Sequence, residues 1–404
     1  MNAVRVLPLG EVVRPIRPRV KPSDRPDLPF IGMEHVEAHS MKLLGTVPAA
    51  TMKSSAVHFK PGDVLYGRLR PYLNKVYRPT FEGLCSAEFI VLPQNERIDG
   101  RYLQYFLNSA AFVRYATHLN AGDRPRIDFD QVAPYQIPLP GVSEQGRIVA
   151  EIEKQFSRLD QAVANLKRVK ANLKRQRTSV LQAVTSGRLA AEGQAAPRQE
   201  AWRWLTIEEL ASAAPRSIQS GPFGSNLRHS EFQPQGKLVI GIDNVRDGEF
   251  SIGSNHRISE SKFKELEKYS ARPGDVLITV MATIGRVCVV PDDVEPAIIT
   301  KHVYRITVNR ELAIPDYVAI ALRGSGEVRA QLMNSVQGQT RPGLNGGLIK
   351  KIRVPLPPLA YQRSIVAEVD RRLSITREVE AEVDANLKRA QALRQAVLAE
   401  AFSC

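Results

Sequence analysis

One feature limits what this chain can fold into more than any other: it contains itself twice. Residues 138–153 read PLPGVSEQGRIVAEIE and residues 355–370 read PLPPLAYQRSIVAEVD, an ungapped match at an offset of 217 with eight of sixteen positions identical. At the same offset Arg124-Pro125 falls on Arg341-Pro342. Upstream, Pro61-Gly62-Asp63-Val64-Leu65 returns as Pro273-Gly274-Asp275-Val276-Leu277, and FIGMEHV (30–36) returns as VIGIDNV (239–245). Downstream, ANLKR occurs at 171–175 and 385–389. The landmarks keep their order, so the chain is a tandem duplication.

Each half divides again by pattern. The first part of each copy is rich in Pro, Gly and β-branched residues. Short apolar runs such as EFIVLP (88–93) and VCVVP (287–291) are punctuated by turn signals, the pattern of a strand-rich mixed α/β domain. The second part has almost no Gly or Pro and keeps a helical period. Boundaries follow: a first α/β domain over 1–142, a helix over 143–187, a linker over 188–204 with Trp202 and Trp204 anchoring what comes next, a second α/β domain over 205–358, and a helix over 359–404. Ser143 is the expected N-cap of the first helix. In that helix Ile152, Leu159, Leu166, Leu173 and Val180 recur every seven residues, with Phe156 and Val163 on the other seam position. In the second helix Val369, Val383 and Val397 form one seam and Leu373 and Leu387 the other. Heptads sustained this far predict coiled-coil packing, each helix being about 40 residues and roughly 60 Å long. A narrow apolar stripe needs a partner, and with a domain between the two helices the chain can return to pair them antiparallel. The alternative is that each helix packs on its own domain.

The charge narrows the function. With 56 Lys and Arg against 42 Asp and Glu, the chain carries +14 over 404 residues, an excess that suits a polyanion such as nucleic acid. No apolar run approaches a membrane span and the opening MNAVRVLPLGEVVRP has no secretory apolar core, so a cytoplasmic protein is expected. Cys85, Cys288 and Cys404 lie too far apart for a disulfide framework or a zinc site. There is no phosphate-binding loop, no dinucleotide fingerprint, no Asn-Pro-Pro-Tyr or Asp-Pro-Pro-Tyr segment, and no nuclease spacing of acids and lysine. His35-x-Glu37-x-His39 lies where a strand runs into a turn and predicts no metal site. A chain without its own catalysis and without bound metal is expected.

The candidate DNA contacts are basic. In KPGDVLYGRLRPYLNKVYRP (60–79) the Pro-Gly-Asp turn starts a strand, and alternation places Tyr66, Arg68 and Arg70 on one face with Lys75 close behind. Arginine offers a two-pronged donor to guanine or phosphate. The second copy keeps only Arg286 in this stretch, so the scaffold repeats and the arginines do not. GDRPRIDF (122–129) contributes Arg124 and Arg126, and QTRPGLN (339–345) contributes Arg341; such arginines either meet DNA or brace their own domain. IQSGPFGSNL (218–227) opens the second domain with Gly221 and Gly224 on a tight path around a buried-looking Phe223, and Arg228 and Lys237 follow.

The order of domain, Pro-Leu-Pro stop and long helix, repeated, resembles the specificity subunit of Type I restriction–modification enzymes. IQSGPFGSNL, PGDVLYGRLRPYLNKV, PGDVLITVMATIGRV and PLPPLAYQRSIVAEVD are similar to that family's recurrent segments. Tyr361 stands where the family shows Glu, and the first copy has Gly141 where a second Pro is usual. The resemblance implies two target recognition domains, each reading half of a split DNA site, held apart by an antiparallel coil. It also implies two modification subunits carrying S-adenosylmethionine, with restriction subunits able to join, so that adenine methylation or ATP- and Mg-dependent cleavage is the partners' work. The rival reading is a coiled-coil adaptor that binds DNA without reading bases.

Overall fold

The computed structural model describes residues 4–16, 18–188, 202–223, 226–253, 256–336 and 343–403. The chain forms two compact units, Met1–Arg168 with Val383–Cys404, and Val169–Glu382. Neither unit is continuous with one copy of the repeat: each holds one α/β domain together with one end of each long helix. The α/β class and the two tandem domains expected from the sequence are both present.

In the first domain a five-stranded sheet runs Arg19–Val20, Ala56–Phe59, Gly83–Ser86, Pro29–Ile31, Val47–Pro48, with one parallel pair in which Phe30 faces Leu84. A three-stranded sheet sets Val64–Gly67 between Val76–Tyr77 and Phe89–Leu92. Arg5–Pro8 pairs antiparallel with Gln136–Leu139 and closes the domain just before its helix. The second domain repeats this plan. Val239 faces Ile298 in a parallel pair, Val276–Thr279 sits between Val287–Val289 and Val303–Ile306, and Arg203–Thr206 closes on Arg353–Leu356. That closing pair places Trp202 and Trp204 in the second domain rather than in a linker, and Trp202 is buried against Tyr361. The rest of the expected linker, 189–201, lies outside the described residues.

The duplication extends to single hydrogen bonds. Gly62 and Gly274 take positive φ (93° and 82°), the left-handed turn that glycine tolerates best. The carboxylate that follows each, Asp63 or Asp275, accepts at 2.8 Å from the amide of Lys60 or Arg272 and pins the start of the central strand. Burial raises the pKa of both carboxyls. The buried hydroxyl of Tyr102 donates to the Pro138 carbonyl (2.8 Å), as that of Tyr317 donates to Pro355 (2.6 Å).

The long helices run Val142–Thr185 and Leu359–Ala401. The first starts one residue before the expected Ser143 cap: the Gly141 carbonyl accepts from the amides of Glu144 and Gln145 at 2.8 and 2.9 Å, leaving Ser143 exposed in the first turn. Gln145 and Gln362, 217 apart, lock each helix start to its domain. Gln145 Nε2 donates to the carbonyls of Arg97 and Pro140, and its Oε1 accepts from the amide of Asp99, all at 2.8 Å. Gln362 repeats the arrangement with Leu312, Pro357 and the amide of Ile314. Both side chains are fully buried, where an unmade hydrogen bond is expensive.

The helices pair antiparallel in each unit. In the first, Ile152 and Phe156 pack on Leu398, and Arg394 pairs with Asp160 at 2.8 Å while lying 4.3 Å over the Phe156 ring. In the second, Leu181 and Val184 share a buried cluster with Ile365, Val369 and Leu373. Full burial of each such side chain contributes about 1.5–3 kcal/mol. Leu159, Val163, Leu166, Leu173, Val180, Leu387 and Val397 are only half-buried, and Val383 is buried. The deepest seam residues near the far ends are Leu181 and Leu398, one step round from the expected Val180 and Val397: packing against a domain turns the buried stripe off the strict heptad. Each helix therefore packs both on its partner and on a domain.

Candidate nucleic-acid interface

In the first domain Arg68, Arg70 and Arg126 meet past the end of the central strand, Val64–Gly67, where Arg68 N–H and C=O and Arg70 N–H bond to the chain around residues 88 and 125–127. That strand stops at Gly67, so the alternation read through residue 70 breaks there. Tyr66 is not a DNA contact: it is 2% exposed and packs edge-on against Phe112 at 5.6 Å, with burial pushing its phenol upward in pKa. A strand buried on both faces left no solvent side for it. Past Gly67 the chain becomes a rim loop. Arg68 donates through Nε to the Ile127 carbonyl (3.2 Å) and ion-pairs with Asp128. Arg126 pairs through two bonds with Glu88, at 2.7 and 3.0 Å. Lys75 Nζ donates to the Met33 carbonyl at 2.5 Å. These three cations are braced by their own domain.

Arg70 and Arg124 are placed differently. Arg70 lies in the left-handed region (φ 53°), its amide donating to the Pro125 carbonyl at 2.7 Å, and its Nε is buried without a hydrogen-bond partner. Arg124 is exposed at the tip of the adjoining loop.

The second domain builds the same rim from other side chains. Ile127 N donates to the Arg68 carbonyl at 3.1 Å, and Leu344 N, 217 residues later, donates to the Val280 carbonyl at the same distance. Arg68 N donates to Glu88 O, and Val280 N to His302 O. Two residues on, Ala282 is left-handed (φ 60°), as Arg70 is in the first copy (φ 53°). So Arg68, Arg70 and Glu88 are replaced by Val280, Ala282 and His302 on one backbone. His302 Nδ1 is buried without a partner, and burial holds the ring's pKa below the usual histidine value. Arg286 is exposed beside this loop, its amide donating to Thr279 Oγ1 at 3.1 Å. Arg228 is exposed. Lys237 is tied to Glu295 at 2.7 Å and lies over Phe263. Arg341 and Gly224 lie outside the described residues. Gly221 has the tight path expected of it, since an added Cβ would fall 2.0 Å from the Ile299 carbonyl oxygen. Phe223 is 61% exposed rather than buried, and Met281 is exposed as well. Sequence reading missed both as surface features, although aligning the copies would have placed Met281 opposite Leu69.

Among the described residues no group of three or more His, Cys, Asp or Glu side chains could hold a metal ion. His35 accepts at Nδ1 from the Gly32 amide (2.9 Å) and His39 has a left-handed φ, so the pair shares no helical face. Cys85 and Cys288 are buried thiols; burial pushes Cys288 up to about 12. No described helix is long and apolar enough to cross a membrane.

Comparison with known proteins places this geometry. A family model for the Type I restriction modification DNA specificity domain matches residues 230–389. Over that stretch the chain is similar to a Type I specificity domain. It is similar to the EcoKI specificity subunit of Escherichia coli strain K12, 25% identical over 80% of this chain and 69% of that one. It is 27% identical to the Escherichia coli EcoBI specificity subunit over 66% of this chain. The aligned stretches span 57% of the EcoBI relative and 39% of the EcoDI relative. Among solved structures, a chain described under complex assembly and conformational transition of the type I R-M system matches at a TM-score of 0.75, with 22% identity, covering 100% of this chain and 98% of that one. The HsdS subunit of Thermoanaerobacter tengcongensis matches at 0.51, with 21% identity and 97% of its length covered. These structural likenesses establish the fold of the specificity subunits.

Proposed function

We propose that this chain is the DNA-reading subunit of a Type I restriction–modification complex, with no catalysis of its own. Each domain reads one half of a bipartite, asymmetric site, and the paired helices set the unread gap. The carrying observation is the rim: one backbone path, held by equivalent hydrogen bonds in both copies, presents Arg68, Arg70 and Glu88 in one and Val280, Ala282 and His302 in the other. A repeated scaffold with exchanged side chains suits two readers of different bases, because bases are distinguished by side-chain donors and acceptors in the groove. Arg70, Arg124, Arg228, Arg286 and Arg341 are the cations assigned to DNA. Two modification subunits would supply adenine methylation with S-adenosylmethionine, and restriction subunits would supply cleavage with ATP and Mg, in the cytoplasm.

The test is to map methylated adenines in cells carrying the complex, then to exchange residues 205–350 for those of another reader. Only one half of the site should change. If both halves change, or if binding shows a steep salt dependence with no sequence preference in the presence of the methylating partner, the chain is instead an adaptor that meets DNA non-specifically.

A further inference from the structure

The duplication allows one groove to be compared with its own copy. In the first unit a groove between the domain and the helix pair is lined by Tyr105, Glu153, Phe156, Asp160 and Arg394. Its cation is fully engaged: Arg394 is ion-paired with Asp160 at 2.8 Å and stacked on Phe156 at 4.3 Å. Moving each residue by 217, or Tyr105 by 215 as for Tyr102 and Tyr317, gives Ile320, Asp370, Leu373, Arg377 and, for Arg394, Arg177. All five line one cleft of about 730 Å³ in the second unit.

The cation is kept and both of its partners are gone. Leu373 replaces the ring, and Arg377 replaces the carboxylate. Arg177 Nε is consequently buried with no hydrogen-bond partner. Arg323, whose side chain is 5% exposed, lines the same cleft and is held by Asp247 at 2.9 Å. Its pKa is lowered chiefly by burial, and the nearby Arg177 charge lowers it further. Asp292, Asp316 and Asp370 line the same cleft, and the Asp316 carboxyl is raised in pKa by its burial and by Asp370. Neither the half-buried Arg177 nor the exposed Arg377 has at its side the carboxylate that Asp160 supplies to Arg394 in the first unit, and arginine binds phosphate through paired N–H donors. The apolar wall of Phe250, Ile320, Val369 and Leu373 gives room for an uncharged ring beside the anion.

We infer that this cleft binds a small phosphate-bearing molecule, of the nucleoside phosphate class, through Arg177 and Arg377, and that the first unit's copy of the groove does not. The full chain should be titrated with inorganic phosphate and with adenosine diphosphate while its thermal midpoint is followed. Saturable stabilisation by both is expected, with the nucleotide acting at the lower concentration. Arg377→Asp restores the first unit's ion pair: the variant should melt above the parent without phosphate and bind either probe at least tenfold more weakly. Asp160→Asn should keep the parent's full response. Absence of any phosphate response in the parent, or an undiminished one in Arg377→Asp, overturns the assignment. So does a loss of affinity for duplex DNA in Arg377→Asp equal to its loss for phosphate, since the site would then serve a strand backbone.

Discussion

The two domains agree where a residue holds the backbone and differ where a side chain faces outward. Gln145 and Gln362, Tyr102 and Tyr317, and Asp63 and Asp275 make the same bonds in both copies. At the rim the first domain has a dense arrangement of charge, Arg68 with Asp128 and Arg126 with Glu88, where the second has Val280 and His302. The difference teaches which residues hold the fold and which, under the proposed function, are left to vary between two readers. A buried amide or hydroxyl with satisfied partners cannot drift without a penalty, whereas a rim side chain can change while its backbone bonds persist.

That division can be broken by experiment. The largest effect should come from Gln145→Ala and Gln362→Ala: each leaves three backbone groups unpaired and should destabilise its unit by about 3 kcal/mol or more, at about 1–3 kcal/mol per unsatisfied group. Denaturant unfolding checks this, and a large loss from one glutamine with none from the other would show that the framework is not shared. Arg70→Ala should weaken binding to one half-site by about 1–3 kcal/mol in the assembled complex, read by titration against duplexes altered in one half at a time. Ala282→Arg should alter preference only in the other half. Tyr102→Phe and Tyr317→Phe should cost about 1 kcal/mol each, since one hydrogen bond is lost and the ring still fills its place. Arg124→Ala should be the mildest, lowering affinity equally for all sequences and reducing the salt slope by about one unit, because an exposed loop-tip cation meets phosphate rather than a base.

The sequence made the duplication, the tandem α/β domains and the paired helices legible, because those rest on periodicity and repeats. It did not reveal the fate of individual arginines. The partners of Arg68 and Arg126 stand 60 and 38 positions away, a separation that no local pattern encodes. Tyr66 was misplaced because alternation presumes one wet face, and its strand is covered on both. The heptad likewise named Val180 and Val397, while Leu181 and Leu398 took the deepest positions once a domain pressed on the same helix as its partner did.

The composition of the units has a consequence for how the protein is made. The first domain leaves the ribosome first, yet its aromatic core includes Phe402, whose ring lies 5.2 Å from Tyr102 and 5.4 Å from Phe106. Translation must therefore pass through all of Val169–Glu382 before the earliest domain receives its final piece, so the later-made unit can be complete while the earlier one still waits.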